Sequence, residues 1–383
     1  MVELYAYHVT RKPTHGENTK IMFKADQLRA EGYFVLGGHD LADKLEHDRK
    51  FAADITKKAG VDVPETYEFK DISKGLDLLD KNPDKAYIFK PDEPDNESWV
   101  TTVPDNERDD KANLEMRLFL ESQSDGNSNY ILQERKNGVE LNVECMLFDG
   151  KPYFAYANFE CKKNANKDLG ALVGCAHDIH FTIPLESKIL HETIYKVIAL
   201  PEFRDYTGFV DMNVIAGDRR YWFLEYCCRF GYNSHPNMFI NLAISPLGKI
   251  FSDMLTGEDL ENFYGHFREG FGASITLRRE CPVSGLPIMI DESIEHKFYH
   301  FDTYLENDVW KLAGYAKETG IICGFDYDLK SAAEDCLKNL EKIHYPGRYA
   351  RTDLDETKYF SNPYERWEAS ETMHLFDRMD VVK

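Results

Sequence analysis

The sequence predicts an α/β (α+β) chain: a small α/β lobe, a larger and mainly antiparallel sheet lobe, and a C-terminal α/β subdomain. Three observations predict it. Short apolar strands alternate with amphipathic helices as far as Lys90, and from Tyr130 onward long stretches alternate apolar and polar residues around DG and GD turn pairs. The chain also has 383 residues with 43% hydrophobic and 13% aromatic side chains, more than one ordinary domain needs to close a core.

Residues 1–50 read as a truncated N-terminal αβ segment. "IMFKADQLRAEGY" has helical spacing, "FVLGG" is a short apolar strand, and "ADKLEHDRKFAADITKKAG" is one helix stopped at Gly60. Residues 51–128 form the small lobe. It holds the extended "VDVPETYEF", the helix "ISKGLDLLDKN", the strand "AYIFK", and an acidic, proline-broken loop over 92–112 with a short "WVTTV" strand. Residues 129–275 form the large lobe, with strands in "YILQE", "ELNVECMLFDGKPYFAYANFE" and "GFVDMNVIAGDRRYWFLEY". Residues 276–355 make the C-terminal subdomain and 356–383 a tail.

Charge excludes some partners. With 46 Lys+Arg against 67 Asp+Glu the formal charge is −21, which repels a duplex phosphate backbone. No stretch approaches the roughly 20 apolar residues of a membrane span, and the first residues lack the order of a signal peptide. The expectation is a cytoplasmic protein without duplex nucleic acid or membrane as partner. Eight cysteines, none in a C-x-x-C pair, fit reduced thiols packed in a core.

Chemistry concentrates around "FLEYCCRFGYNSHP". On strands, residues two apart share a face, so Asp211 points with Asn213 and Glu225 with Cys227. A hairpin pairing these strands brings an amide or carboxylate beside Glu225, a set of oxygen ligands suited to magnesium. The competing reading is a structural ion pair between Glu225 and Arg229.

The order of "KPD" after an apolar strand, "ILQERKNGVEL", "FECKKNANKDLGALVG", "YTGFVDMNV" and "FLEYCCRFG" resembles the ATP-grasp ligases. Within them it is similar to the phosphoribosylamine–glycine ligases of purine biosynthesis, over most of the chain. The resemblance implies an ATP-grasp fold, ATP and magnesium as cofactors, and amide formation from small carboxylate and amine substrates through an acyl phosphate. It places Lys90 on ATP phosphates, with Arg49, or less directly Lys50, as a second basic residue. Gln133, Glu134, Arg135 and Lys136 fall on the adenine linker, and Glu140 faces the nucleotide. Glu225 falls on the magnesium-binding glutamate, and Arg229 on the arginine that contacts phosphate or acyl phosphate. Lys162 and Lys163 fall in the catalytic run. Asp168, Gly170 and Gly174 lie in the substrate loop, and Arg351 and Asp353 close over substrate.

This chain departs from the family at several positions. Cys161 replaces a histidine, Ala171 to Val173 replace Pro-Asn-Thr, Asp355 replaces a glycine, and "DEPDNESW" replaces a glycine-rich loop. Cys227 replaces the second metal ligand, an asparagine. Thiols suit hard cations poorly, so Asn213 or Asp211 is expected to supply the missing oxygen. The expected function is an ADP-forming carbon–nitrogen ligase with altered substrates, with room for a partner chain supplying an N-terminal lobe. The alternative is a catalytically decayed nucleotide-binding or partner-binding protein.

Overall fold

The computed structural model describes residues 25, 27–36, 39–91, 109–123, 129–217, 219–356 and 362–379. The "WVTTV" strand and nearly all of the acidic loop lie outside them. Residues 33–36 run without strand pairing, so the short strand read in "FVLGG" does not form there. The long helix read up to Gly60 is two helices, Asp40–His47 and Arg49–Lys58. Asp48 breaks it by leaving helical geometry and accepting a hydrogen bond from the Phe51 N–H at 2.9 Å, the work of a cap. Both helices turn Ala42, Leu45, Ala52 and Ile55 into the large core rather than the small lobe.

The small lobe is a three-stranded antiparallel sheet. β1 (Thr66–Phe69) and β2 (Tyr87–Pro91) flank β3 (Tyr130–Glu134). β3, read with the large lobe, belongs here because it supplies the middle of this sheet. Helices Ile72–Lys81 and Asp109–Ser122 cover it, burying Leu79, Met116 and Leu120 against Tyr87, Tyr130 and Leu132. Residues 109–112, read as loop, open the second of these helices.

The large sheet has eight strands, all antiparallel. It contains β4 (Val139–Phe148), β5 (Lys151–Ala165), β6 (Leu169–Thr182), β7 (Gly208–Ala216), β8 (Tyr221–Tyr226) and β9 (Phe271–Arg278). After the short β10 (Met289–Ile290) come β11 (Phe298–His300), β12 (Thr303–Glu306), β13 (Val309–Leu312), β14 (Glu318–Asp326) and β15 (Ile343–His344). The order across the sheet is β11-β14-β9-β6-β5-β4-β7-β8, while β10 pairs with β15 and β12 with β13. The C-terminal subdomain is therefore continuous with the large sheet. The β4–β5 turn is the expected DG pair, with Asp149 at φ 50° and Gly150 at φ 71°, and a side chain at Gly150 would strike the Arg204 carbonyl.

Alternation along these strands separates two kinds of core. One face carries Val143, Cys145, Ala155, Ala157, Phe159, Ile179, Phe181, Val210, Met212, Val214, Ala273 and Ile275. The other buries polar groups, Asn142, Glu144, Asn158, Asp178, His180, Asp211, Asn213, Ser274 and Thr276, beside a second apolar cluster that includes Met146, Phe154, Tyr156 and Phe209. Residues 233–241 lie over part of this polar face and answer its groups. Asn233 donates to Ser274 and Thr276, and Asn237 donates to Asp178 and the Gly272 carbonyl.

The tail also folds. Asn362 caps the helix Pro363–Thr372, whose Trp367 meets Phe181 and Phe271 edge-on and stacks on Phe376, at centroid distances of 5.0, 4.9 and 5.7 Å. All eight cysteines are free thiols, six of them buried. Among the described residues no helix is long and apolar enough to cross a membrane. Trp367→Ala should lower unfolding stability by about 3 kcal/mol, because it empties an aromatic junction on the apolar face. Urea titration monitored by circular dichroism measures this loss.

Candidate functional site

Four adjacent strands each send one side chain to a single point. Lys162 comes from β5, Glu140 from β4, Asn213 from β7 and Glu225 from β8. The Lys162 ammonium lies 3.2 Å from Glu140 Oε1 and 3.2 Å from Glu225 Oε1. Asn213 Nδ2 donates to the same two oxygens at 3.5 and 3.4 Å. Glu225 itself is half exposed, so the cluster opens to solvent on that side.

Charge tunes each member. Lys162 holds the Glu225 carboxyl down at about 2, against burial, with help from Lys90. Burial pushes Glu140 up, but Lys162 and Arg366 outweigh it and keep the carboxyl below its ordinary range. Burial opposes the Lys162 charge, yet Glu140, Glu225 and Glu160 hold its ammonium well above the usual lysine value. Lys90, on β2 of the small sheet, is pulled down by burial while Glu225 acts in the opposite direction. Arg49 is next to it, donating to the Pro91 carbonyl at 2.8 Å. The Lys90 side of the small lobe thus faces Glu225 on the large one.

Of the two oxygen donors expected beside Glu225, Asn213 is the one in contact. Asp211 pairs across the strands with Glu144, and burial pushes both carboxyls well above their ordinary range. The described residues offer no group of three or more His, Cys, Asp and Glu placed to hold a metal ion. A magnesium set here is two carboxylates and an amide. It fits in kind, since Asn213 Oδ1 is a buried oxygen with no hydrogen-bond partner and all three donors are hard. Burial pushes the Cys227 thiol up and so keeps it protonated.

Other expected residues are placed differently. Arg229 donates to Glu46 at 2.8 Å and lies over the Tyr232 ring at 4.9 Å, so the cation beside Glu225 is Lys162 rather than Arg229. Lys163 enters through its carbonyl, which accepts from Arg351. In the linker expected to hold adenine, the N–H of Glu134 is taken by the Glu65 carbonyl and that of Arg135 by the Ala86 carbonyl. Gln133 donates to Thr66, and Lys136 bonds Glu134 at 2.7 Å.

Arg351 and Asp353 are fully buried, and they close on the chain itself. The Arg351 guanidinium clamps Asp353 through two bonds of 2.9 and 2.8 Å and reaches Asp168 at 2.9 Å, while Asp353 accepts from the Lys167 N–H. The turn they hold has Lys167, Asp168 and Gly170 all at positive φ, and a side chain at Gly170 would collide with Asn164. Gly174 has open space and an ordinary backbone.

Sequence reasoning missed several contributors. Glu144, Tyr156 and His235 form a buried chain in which Tyr156 and Glu144 lie 2.9 and 3.3 Å from His235 Nε2. The Gly231 N–H donates to Nδ1, so the proton sits on Nε2, and burial holds this histidine down at about 3 and neutral. Glu144 was findable as a polar position in phase with Glu140 along β4. Arg366, which bonds the Glu160 carbonyl at 2.8 Å from the tail, carried no local signal.

A three-stranded small lobe facing a large antiparallel sheet, with lysines and carboxylates meeting between them, is the ATP-grasp fold, and comparison with solved structures agrees. The chain superimposes on the phosphoribosylamine–glycine ligase of Thermotoga maritima with a TM-score of 0.63 at 17% identity, covering 83% of this chain and 81% of that one. It also matches the biotin carboxylase domain of Hydrogenobacter thermophilus 2-oxoglutarate carboxylase, solved with MgADP and bicarbonate, with a TM-score of 0.55 at 16% identity over 96% and 82% of the two chains. In sequence it resembles phosphoribosylamine–glycine ligase in particular. It is 21% identical over 332 residues to the enzyme of Lactococcus lactis subsp. lactis (strain IL1403), covering 84% of this chain and 77% of the relative. No protein-family model matches.

Two outcomes follow from the buried charges. Arg351→Met leaves Asp353 without its cation and should cost about 3–5 kcal/mol, with residues 164–170 becoming sensitive to limited proteolysis. Asp178 is pushed up by burial to about 7 from 3.8, so its carboxyl is protonated when folded and ionises on unfolding. Its contribution is complete below about pH 4 and is lost as pH rises toward 7. Urea midpoints should therefore show the parent losing ground to Asp178→Asn across that interval.

Proposed function

We propose that the chain is an ATP-dependent carboxylate–amine ligase of the ADP-forming kind. The observation that carries this reading is the meeting of Lys90, Lys162, Glu140, Asn213 and Glu225 between the two lobes. In the reaction a carboxylate oxygen attacks the γ-phosphorus of ATP, releasing ADP and forming an acyl phosphate. An amine then attacks the acyl carbon and expels phosphate, which leaves an amide. No side-chain nucleophile is required, so positioning and charge carry the work.

Lys90 and Lys162 would neutralise phosphate oxygens, and Arg49 buttresses the strand end that bears Lys90. Magnesium, when bound, supplies further charge neutralisation, and Glu140, Asn213 and Glu225 would hold it. The clamped turn at 164–170 orients the end of β5 from which Lys162 reaches inward. The substrates are a small carboxylic acid and an amine other than glycine and phosphoribosylamine. Supporting this, Cys161 is buried and Ala171 to Val173 offer no polar side chain where the family has Pro-Asn-Thr. Arg229, tied to Glu46, is reserved for an acyl-phosphate contact that requires it to leave this partner. A second reading, nucleotide binding without turnover, is favoured by one feature, the thiol of Cys227 in place of an oxygen ligand.

Glu225→Gln and Lys90→Ala should each weaken Mg-ATP binding roughly 10- to 100-fold, the scale of one charge-assisted contact. Calorimetry with both variants decides it, and parent-like binding in both would remove the site. Cys227→Asn should bind Mg-ATP at least as well as the parent. ADP release should respond to members of a panel of amino acids and amino-nucleotides and stay near background with glycine plus phosphoribosylamine. ATP binding with no turnover across the panel would favour the second reading.

A further inference from the structure

We infer that Lys162 is an internal stand-in for the metal: its ammonium occupies the divalent cation's place between Glu140 and Glu225 and yields it when nucleotide phosphates arrive. The inference rests on reading this cluster as the Mg-ATP site. Its basis is the symmetry of the contacts. One ammonium lies 3.2 Å from an oxygen of each carboxylate, and those two oxygens also receive the Asn213 amide nitrogen. Two carboxylates this close repel each other, and a cation between them is what lets both remain ionised. Lys162 is three-quarters buried on a long, rotatable stem, so it can supply that charge without fixing it permanently.

Asn213 gives the second, independent observation. It is 3% exposed, its nitrogen makes only long contacts with the carboxylates, and its Oδ1 has no partner. A half-turn of the amide exchanges the two atoms. With an ammonium at the centre the nitrogen must face the carboxylates, since an oxygen there would add repulsion. With a divalent cation at the centre the oxygen becomes a ligand. Lys162 and Asn213 therefore have two matched arrangements. Nucleotide phosphates favour the second, because they give the displaced ammonium a new anion and bring the metal with them. Lys90 already lines the same opening. Magnesium and ATP thus bind as a pair, and the carboxylates refuse magnesium alone.

The test uses Mg2+ without nucleotide on the full chain. Lys162→Met and Lys162→Gln remove the charge with little change of volume. Calorimetry should show either variant binding Mg2+ at least tenfold more tightly than the parent. Thermal unfolding should show both destabilised in EDTA and restored by Mg2+, but not by Na+ at matched ionic strength. Adding Glu225→Gln should abolish the gain. A folded neutral variant with parent-like Mg2+ affinity overturns the inference, as does equal rescue by Na+, or failure of both variants to fold even with Mg2+. Glu225→Gln alone separates the two levels. If it leaves Mg-ATP binding unchanged, the site is misassigned; if it weakens binding while Lys162→Met gains no Mg2+, only the stand-in role falls.

Discussion

A sheet that carries carboxylates on a buried face must find charge or protons for them, and most of this architecture answers that demand. Glu140, Glu144, Glu160, Asp178, Asp211 and Glu225 come from strands β4 to β8 of one sheet, and they are answered in more than one way. Lys162 satisfies Glu140 and Glu225 directly. Burial drives Glu144, Asp178 and Asp211 toward their neutral forms. Asn233 and Asn237, brought over the face by the segment after β8, cap its hydroxyl and carboxyl groups. The result is one face that resembles an ordinary hydrophobic core and one where a polar network adjoins a smaller aromatic cluster and opens to solvent at the corner by Glu225. That corner is where the small lobe arrives with Lys90.

Periodicity made the fold legible in the sequence, and the order of its motifs singled out Glu140, Lys162 and Glu225, which the structure brings together. The β4–β5 hairpin turns at the expected DG pair, β7 pairs with β8, and Glu225 acts on the charge of Lys90, 135 positions away. Same-face reasoning limited the partner of Glu225 to Asn213 or Asp211. It could not choose between them, because a register shift beside Asn213 decides which side chain stands opposite. The Arg229 partner was hidden for another reason. Glu46 lies 183 residues away on a helix, and nothing local marks a long-range ion pair.

Local errors had local causes. "ADKLEHDRKF" keeps helical periodicity through Asp48, yet an aspartate that can bond a nearby N–H competes with helix continuation. β3 follows the small lobe's second helix and precedes the long hairpin, so periodicity alone could not say which sheet would take it. Its pairing with both β1 and β2 is a tertiary fact. The family resemblance implies that Arg351 and Asp353 close over substrate. In place, the guanidinium bonds Asp353, Asp168 and the Lys163 carbonyl, and so organises the turn at residues 164–170 from behind.

The placement of the helix Pro363–Thr372 bears on how the chain reaches its fold. Trp367 completes an aromatic junction with Phe181 and Phe271, and Arg366 reaches Glu160, so this helix closes onto strands that lie roughly one to two hundred residues before it in the sequence. Contacts of such long sequence separation slow folding, because a large loop must close before they form. Before this helix docks, Phe181 and Phe271 lack the Trp367 indole that closes their junction. An intermediate in that condition exposes aromatic surface and is prone to association.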